Sequence, residues 1–465
     1  MTSDIFATGQ PAQAVPLNLV SEAGLSAWLA KRPAHEADWL HGSGFAAERN
    51  RCVVIPGATG AIHSIVIGAG NSADINAVTI WDAAAWADKL PGVVVKIVGA
   101  MQPSTATRIA LGFGLGRYRF TRYKKPSIAT RATLVPPAGA DMVYVARALQ
   151  SMTLARDLIN TPANDLGPVE LEAATRQVAV AHGATLHVIS DPETLAAEYP
   201  LLAAVGAASA RAPRLIDLRW GASDARRVTL VGKGVCFDTG GLDVKPSAGM
   251  ALMKKDMGGA ACALATADLL MASQTPIQLR LLIPAAENSL GGRAYRPGDV
   301  LRSRKGLSVE IGNTDAEGRL ILADALCAAD AERPELLIDF ATLTGAARTA
   351  LGPELPAAYS NDEELLAQLR RCGSHEHDPI WPMPLWAEYD DDLSSRVADL
   401  NNVSAHSFAG SILAALFLQR FVTASPAWVH LDLYAWNAKD RPGRAVGAEA
   451  QCVRAVYQLI RQRFG

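Results

Sequence analysis

A chain of 465 residues is longer than one hydrophobic core usually serves, which predicts two domains. With 49% hydrophobic residues and a formal net charge of −2, it reads as an ordinary globular protein. That balance excludes a broad electrostatic pull toward nucleic acid or a membrane surface, so any charged chemistry must be local. The six cysteines are scattered without a CxxC pair and predict free thiols in a reducing compartment. The opening Met1-Thr2-Ser3-Asp4 has no basic flank followed by an apolar run, so a secretory signal is not expected and the cytoplasm is. The uncharged stretches 52–73 and 400–419 are interrupted by Gly, Asn, Ser or His, and neither predicts a membrane span.

Residues 1–140 read as a small amino-terminal α/β domain. Residues 51–55 and 62–67 predict strands joined by the glycine-rich turn at 57–60, and 93–98 a third. The basic and aromatic run 117–125 predicts a solvated helix end or a subunit interface. Residues 126–140, with Pro136-Pro137-Ala138-Gly139, have linker composition. A long helical pattern at 142–159 is stopped by Asn160-Thr161-Pro162, so 141–165 reads as a linker helix, with a new helix starting near Pro168. From 166 to 465, strands are predicted at 186–189, 215–220, 228–231, 279–283, 336–340 and 428–431, with a buried helix at 260–271. This alternation predicts an α/β fold whose larger domain has a mostly parallel, helix-covered mixed sheet. Ligands in such sheets gather beyond the carboxyl ends of the strands.

Two loops lie at such places. After the strand at 228–231 come Lys233 between two glycines, Asp238 ahead of Thr239-Gly240-Gly241, Lys245, and then Asp256 ahead of Gly258-Gly259. The second is Asn313-Thr314-Asp315-Ala316-Glu317-Gly318-Arg319, which opens a helical pattern. In extended backbone, residues i and i+2 share a side, so Asp315 and Glu317 are expected to converge. Two carboxylates that close need a proton, a strong donor or a cation between them. Singly, each feature has a plain structural reading, as a helix cap, a turn former or a surface lysine. A phosphate loop is set aside because GxxxxGK[ST] is absent.

Together they gather four carboxylates and two or three cations, a poor structural choice without metals. Asp238, Asp256, Asp315 and Glu317 carry −4, which two divalent ions would balance. Carboxylate oxygens suit Mn²⁺, Mg²⁺ or Zn²⁺, and a lysine made neutral by burial and neighbouring cations is a further ligand. Elsewhere, His375 and His377 flank Glu376 without a third ligand, and residues 390–392 read as a solvated acidic turn. No Ser or Cys has a histidine partner at a recognisable motif.

Residues 231–256 resemble the first signature of the leucyl (cytosol) aminopeptidase family, and residues 313–319 match its second, NTDAEGR, residue for residue. Asn160-Thr161-Pro162-Ala163-Asn164-Asp165 and Ala341-Thr342-Leu343-Thr344-Gly345 resemble further family patterns. The resemblance covers about 150–350 and runs more loosely to the end. It implies a homohexameric, two-metal exopeptidase that takes the amino-terminal residue from peptides through a metal-bridging water, with no nucleic-acid or membrane partner. It implies two divalent ions, Mn²⁺ or Zn²⁺, bridged by Asp238 and Glu317, with Lys233 and Asp256 completing one site and Asp315 the other. Lys245 would stay protonated to stabilise the oxyanion, and Arg319 would hold a bicarbonate general base. Met253, Thr342, Leu343 and Gly345 fall at positions of the side-chain pocket.

Two departures stand out. Thr239 replaces the more usual serine, and Leu433-Tyr434-Ala435-Trp436-Asn437 leaves the family's small-residue continuation, so no preference for leucine carries over. A two-metal phosphohydrolase is the rival enzyme, but no arginine cluster or glycine-rich nest is present to grip phosphate. A non-enzymatic scaffold would have lost part of the ligand set, and all seven key residues are present.

Overall fold

The computed structural model describes residues 4–9, 13–72, 74–124 and 131–465. It divides into two compact units, residues 1–150 with Lys439–Ala445, and Ser151–Ala438 with Val446–Gly465. No helix among the described residues is long and apolar enough to cross a membrane.

In the first unit a five-stranded sheet runs in the order Cys52–Pro56, Ile62–Gly68, Val15–Val20, Val94–Ile97, Thr133–Leu134. The first pair is the antiparallel hairpin expected around the glycine turn, and the other pairings are parallel. The middle strand, Val15–Val20, escapes the periodicity reading because Pro16 and the buried Asn18 interrupt its apolar run. Residues 126–140 are not simply a linker, because Thr133–Leu134 is an edge strand paired with Val94 and Val95. Positions 125–130 lie outside the described residues. The basic run 117–124 follows the end of helix Pro103–Gly116, with Arg117 as its cap and the rest as loop. Arg117 donates to Ala132 O, and Arg119 donates to Gly116 O and pairs with Asp88. Helices Ile80–Lys89 and Pro103–Gly116 pack backbone to backbone. A Cβ on Gly112 would stand 2.1 Å from Ile80 O.

The second unit carries a nine-stranded mixed sheet. Its order is Trp381–Pro382, Ala357–Ser360, Trp428–Asp432, Leu336–Ala341, Arg226–Gly232, Ile277–Asn288, Arg214–Trp220 and Thr185–Ile189, with Gly234–Asp238 pairing the end of Ile277–Asn288. The centre is parallel, and the antiparallel pairings fall toward the edges. Helices Gly258–Ala272 and Glu317–Asp330 are almost wholly buried against it. Gly259 makes one contact possible, since a Cβ there would sit 2.1 Å from Phe340 O.

This topology sets the site. Arg226–Gly232 is followed by Lys233, Leu336–Ala341 is followed by Thr342, and Gly234–Asp238 ends at Asp238 in register with Asn288. Three parallel strands thus deliver the residues at or just beyond their carboxyl ends to one end of the sheet.

Candidate metal centre

Lys233 is fixed by its backbone before its side chain does anything. Its N–H donates to Phe340 O and its carbonyl accepts from Ala260 N, both at 2.9 Å. The side chain then runs to an Nζ that lies 2.8 Å from Asp256 Oδ2 and 2.9 Å from Glu317 Oε1, and donates to Thr342 O at 3.0 Å. Gly318 opens the path, because a Cβ there would stand 2.5 Å from Lys233 Cε. Lys245 makes the second bridge, with Nζ 2.9 Å from Asp238 Oδ2 and 2.5 Å from Asp315 Oδ1. Asp238, Asp315 and Glu317 each offer an oxygen within 4.8 Å of the others. The five residues read from the sequence as ligands therefore come together, with Lys245 among them.

The convergence of Asp315 and Glu317 does not come from extended backbone, as the i, i+2 argument expected. Asp315 sits in a turn closed by Ala316 N–H on Asn313 O, and Glu317 is the first residue of helix Glu317–Asp330. A turn leading into a helix brings the two carboxylates to the same place.

Burial, and then the charge of Asp238, push Glu317 up to about 8 and Asp315 up to about 6. Burial works against both ammonium groups, yet the surrounding carboxylates outweigh it and hold Lys233 and Lys245 above the usual lysine range. A neutral Lys233, as the ligand reading requires, is therefore not what the chain's own charges favour. It needs added cations to replace the proton. Asp256 Oδ2 and Asp315 Oδ1 are buried, and each faces a lysine ammonium, Lys233 at 2.8 Å and Lys245 at 2.5 Å. Crowded carboxylates beside an amine fit divalent cations.

Several supporting residues were not singled out in the sequence. Asn288 Nδ2 donates to Asp238 Oδ1 at 2.8 Å and to Thr314 O at 3.0 Å. Tyr295 Oη donates to the same carbonyl at 2.7 Å. Asp243 Oδ2 accepts from Thr314 N, and Asn402 Oδ1 accepts from Gly312 and Asn313 N. Together they clamp the 312–315 loop. An asparagine ending a strand or following another asparagine carries no pattern that marks it.

Arg319 is buried, with one N–H given to Asn402 O at 2.6 Å and Nε without a hydrogen-bond partner among the described residues. Burial pulls it down to about 10. Thr342 Oγ1 donates to Asp256 Oδ1 at 2.8 Å, so this residue orients a candidate ligand as well as standing at a pocket position. Leu343 N and Thr344 N donate to Asp432 Oδ1 at 3.1 and 3.2 Å, fixing the loop that leads to the exposed Gly345. Met253 is half-buried in the 3₁₀ turn Met253–Met257, three residues before Asp256.

Comparison with known proteins places the chain in a family. Residues 153–457 match the model of the cytosol aminopeptidase family, catalytic domain, and residues 15–137 match that of the M17 aminopeptidase N-terminal domain. A probable cytosol aminopeptidase of Geobacter sp. (strain M21) is 38% identical over 396 residues, covering 82% of this chain and 79% of that one. The solved cytosol aminopeptidase of Coxiella burnetii is 44% identical with a TM-score of 0.94, covering 99% of both chains. The bottromycin maturation enzyme BotP in complex with Mn is 32% identical with a TM-score of 0.88, covering 98% of this chain and 100% of that one. The chain belongs to the cytosol aminopeptidase family of metal-dependent aminopeptidases.

Proposed function

We propose that the protein removes amino-terminal residues from peptides at a centre where Lys233, Asp238, Asp256, Asp315 and Glu317 would hold two divalent ions. Two divalent ions, Mn²⁺ or Zn²⁺, would supply Lewis acidity and a water of lowered pKa there. A solved relative carries Mn, which favours an ion of this class. The chain supplies the rest. Lys245, kept protonated by Asp238 and Asp315, offers its ammonium to the oxyanion of the tetrahedral adduct. Arg319, with Nε uncommitted, is suited to hold a bicarbonate acting as general base. Thr342 orients Asp256, while Met253, Leu343 and Gly345 bound the pocket for the amino-terminal side chain.

The same reading extends to a homohexamer in the cytoplasm. It takes residues 1–140 as the amino-terminal domain, 141–165 as the linker helix and 166–465 as the catalytic domain.

The observation that carries the proposal is the buried cluster of carboxylates crowded around two lysines. The test is turnover by protein stripped of metal and reloaded with Zn²⁺, Mn²⁺ or Co²⁺. Hydrolysis of amino-acyl anilides but not of nitrophenyl phosphate is expected, and the reverse would overturn it.

A further inference from the structure

Three segments bound the proposed side-chain pocket, and each carries one residue that the metal centre does not use. Lys255 follows Met253 by two positions and is buried. Arg348 follows Gly345 by three, one turn along helix Gly345–Leu351. Tyr434 follows Asp432 by two, within the stretch that departs from the family's small-residue pattern.

The structure brings these three together. Lys255 Nζ lies 4.5 Å from the centre of the Tyr434 ring, and the Arg348 guanidinium carbon 5.0 Å from the same centre. A Cβ on Gly345 would stand 3.8 Å from an Arg348 terminal nitrogen, which places the guanidinium beside a pocket residue. Among the described residues, neither cation has a carboxylate within ion-pair distance, unlike Lys233 and Lys245.

The neighbouring anions are already taken. Asp256 is shared by Lys233 and Thr342, and Asp432 accepts from Leu343 N, Thr344 N, Thr344 Oγ1 and Ser411 Oγ. Two positive groups that share one aromatic ring, with no carboxylate in ion-pair contact with either, repel each other. The ring quadrupole offsets only part of that cost. An incoming carboxylate would offset the remainder, and an arginine fork is suited to receive it.

We infer that Lys255 and Arg348, gathered around Tyr434, make the pocket cationic and select peptides whose amino-terminal residue is Glu or Asp. The inference rests on the aminopeptidase reading above and on the pocket positions taken from it. It names the chemistry of the side chain accepted, which that reading leaves open.

The test is a set of fluorogenic amino-acyl amides (Glu, Asp, Gln, Leu and Lys) turned over by metal-loaded full-length protein, with kcat/KM compared within each variant. The wild type is expected to favour Glu over the isosteric Gln by about tenfold or more, the scale of one desolvated charge pair. Arg348→Gln and Lys255→Met should each collapse that ratio toward one, and Arg348→Glu should raise Lys relative to Glu. Arg348 is exposed, so its variants answer even where Lys255→Met does not fold. Leu turned over with no Glu-over-Gln preference, or a preference unmoved in the Arg348 variants, would overturn this inference alone. No turnover of any amide would overturn the aminopeptidase reading along with it.

Discussion

Two buried acidic sites in the second unit are handled in opposite ways. Asp330, the last residue of helix Glu317–Asp330, accepts from the backbone N–H groups of Thr423, Ala424 and Ser425 at 2.7–2.9 Å. Burial alone would raise it, but these bonds hold it below the usual carboxylate range. At the other end of the same helix, Glu317 faces Asp238 and is driven up to about 8, with one lysine to steady it. The helix thus begins at a carboxylate crowded by another and steadied by one lysine, and ends at one held by three backbone donors. A satisfied buried acid is structure. A crowded one is a candidate ligand for a cation.

The contrast can be broken most forcefully at Asp238. Asp238→Ala removes the carboxylate in register with Asn288 and should lower peptide turnover by about three orders of magnitude. Its fold should survive, read as an unchanged circular dichroism spectrum. Lys245→Ala should lower kcat by about a hundredfold or more while leaving metal content intact, as measured by elemental analysis. Metal loss in that variant would instead make Lys245 a ligand.

Asp330→Ala should do the reverse of Asp238→Ala. Stripping three backbone donors of their acceptor should cost about 2–3 kcal/mol in urea unfolding, with kcat/KM of the surviving protein near wild type. The mildest effect is on the pH dependence of metal-free protein. Glu317 and Asp315 have folded-state values raised above their unfolded ones, so the folded chain holds more protons between about pH 4.5 and 8. This pair therefore favours folding at the acid end of that window and loses that contribution as pH rises through it. The melting temperature of metal-free protein should fall relative to Glu317→Gln over the same range, and added Mn²⁺ or Zn²⁺ should reverse the slope.

Much of the larger sheet was legible because its strands are continuous β-branched and aliphatic runs between helices of clear period. Residues 228–231 and 336–338 show this plainly. Val15–Val20 was not legible, although it is the middle of the first sheet, because Pro16 and Asn18 break its pattern and only pairing on both sides makes it a strand. Thr133–Leu134 is two residues long and lies in proline-rich surroundings, so composition pointed to a linker.

The site divides in the same manner. Charged residues at fixed spacings, Lys233 to Asp256 and Asp315 to Arg319, announce themselves. The residues that hold them, Asn288, Tyr295 and Asn402, act across separations of 19 to 90 residues, which no local pattern records. The pairing of Lys255 and Arg348 on Tyr434 is likewise a product of folding, assembled from three separate segments.

The central claim is that this chain cages a pair of cations, and counting them is the most direct check. Protein stripped with chelator, reloaded with Mn²⁺ and freed of excess ion should carry two ions per chain by elemental analysis, while Glu317→Ala, prepared alongside, should carry at most one. Wild-type protein that retains none, or a Glu317→Ala variant that still retains two, would contradict the account.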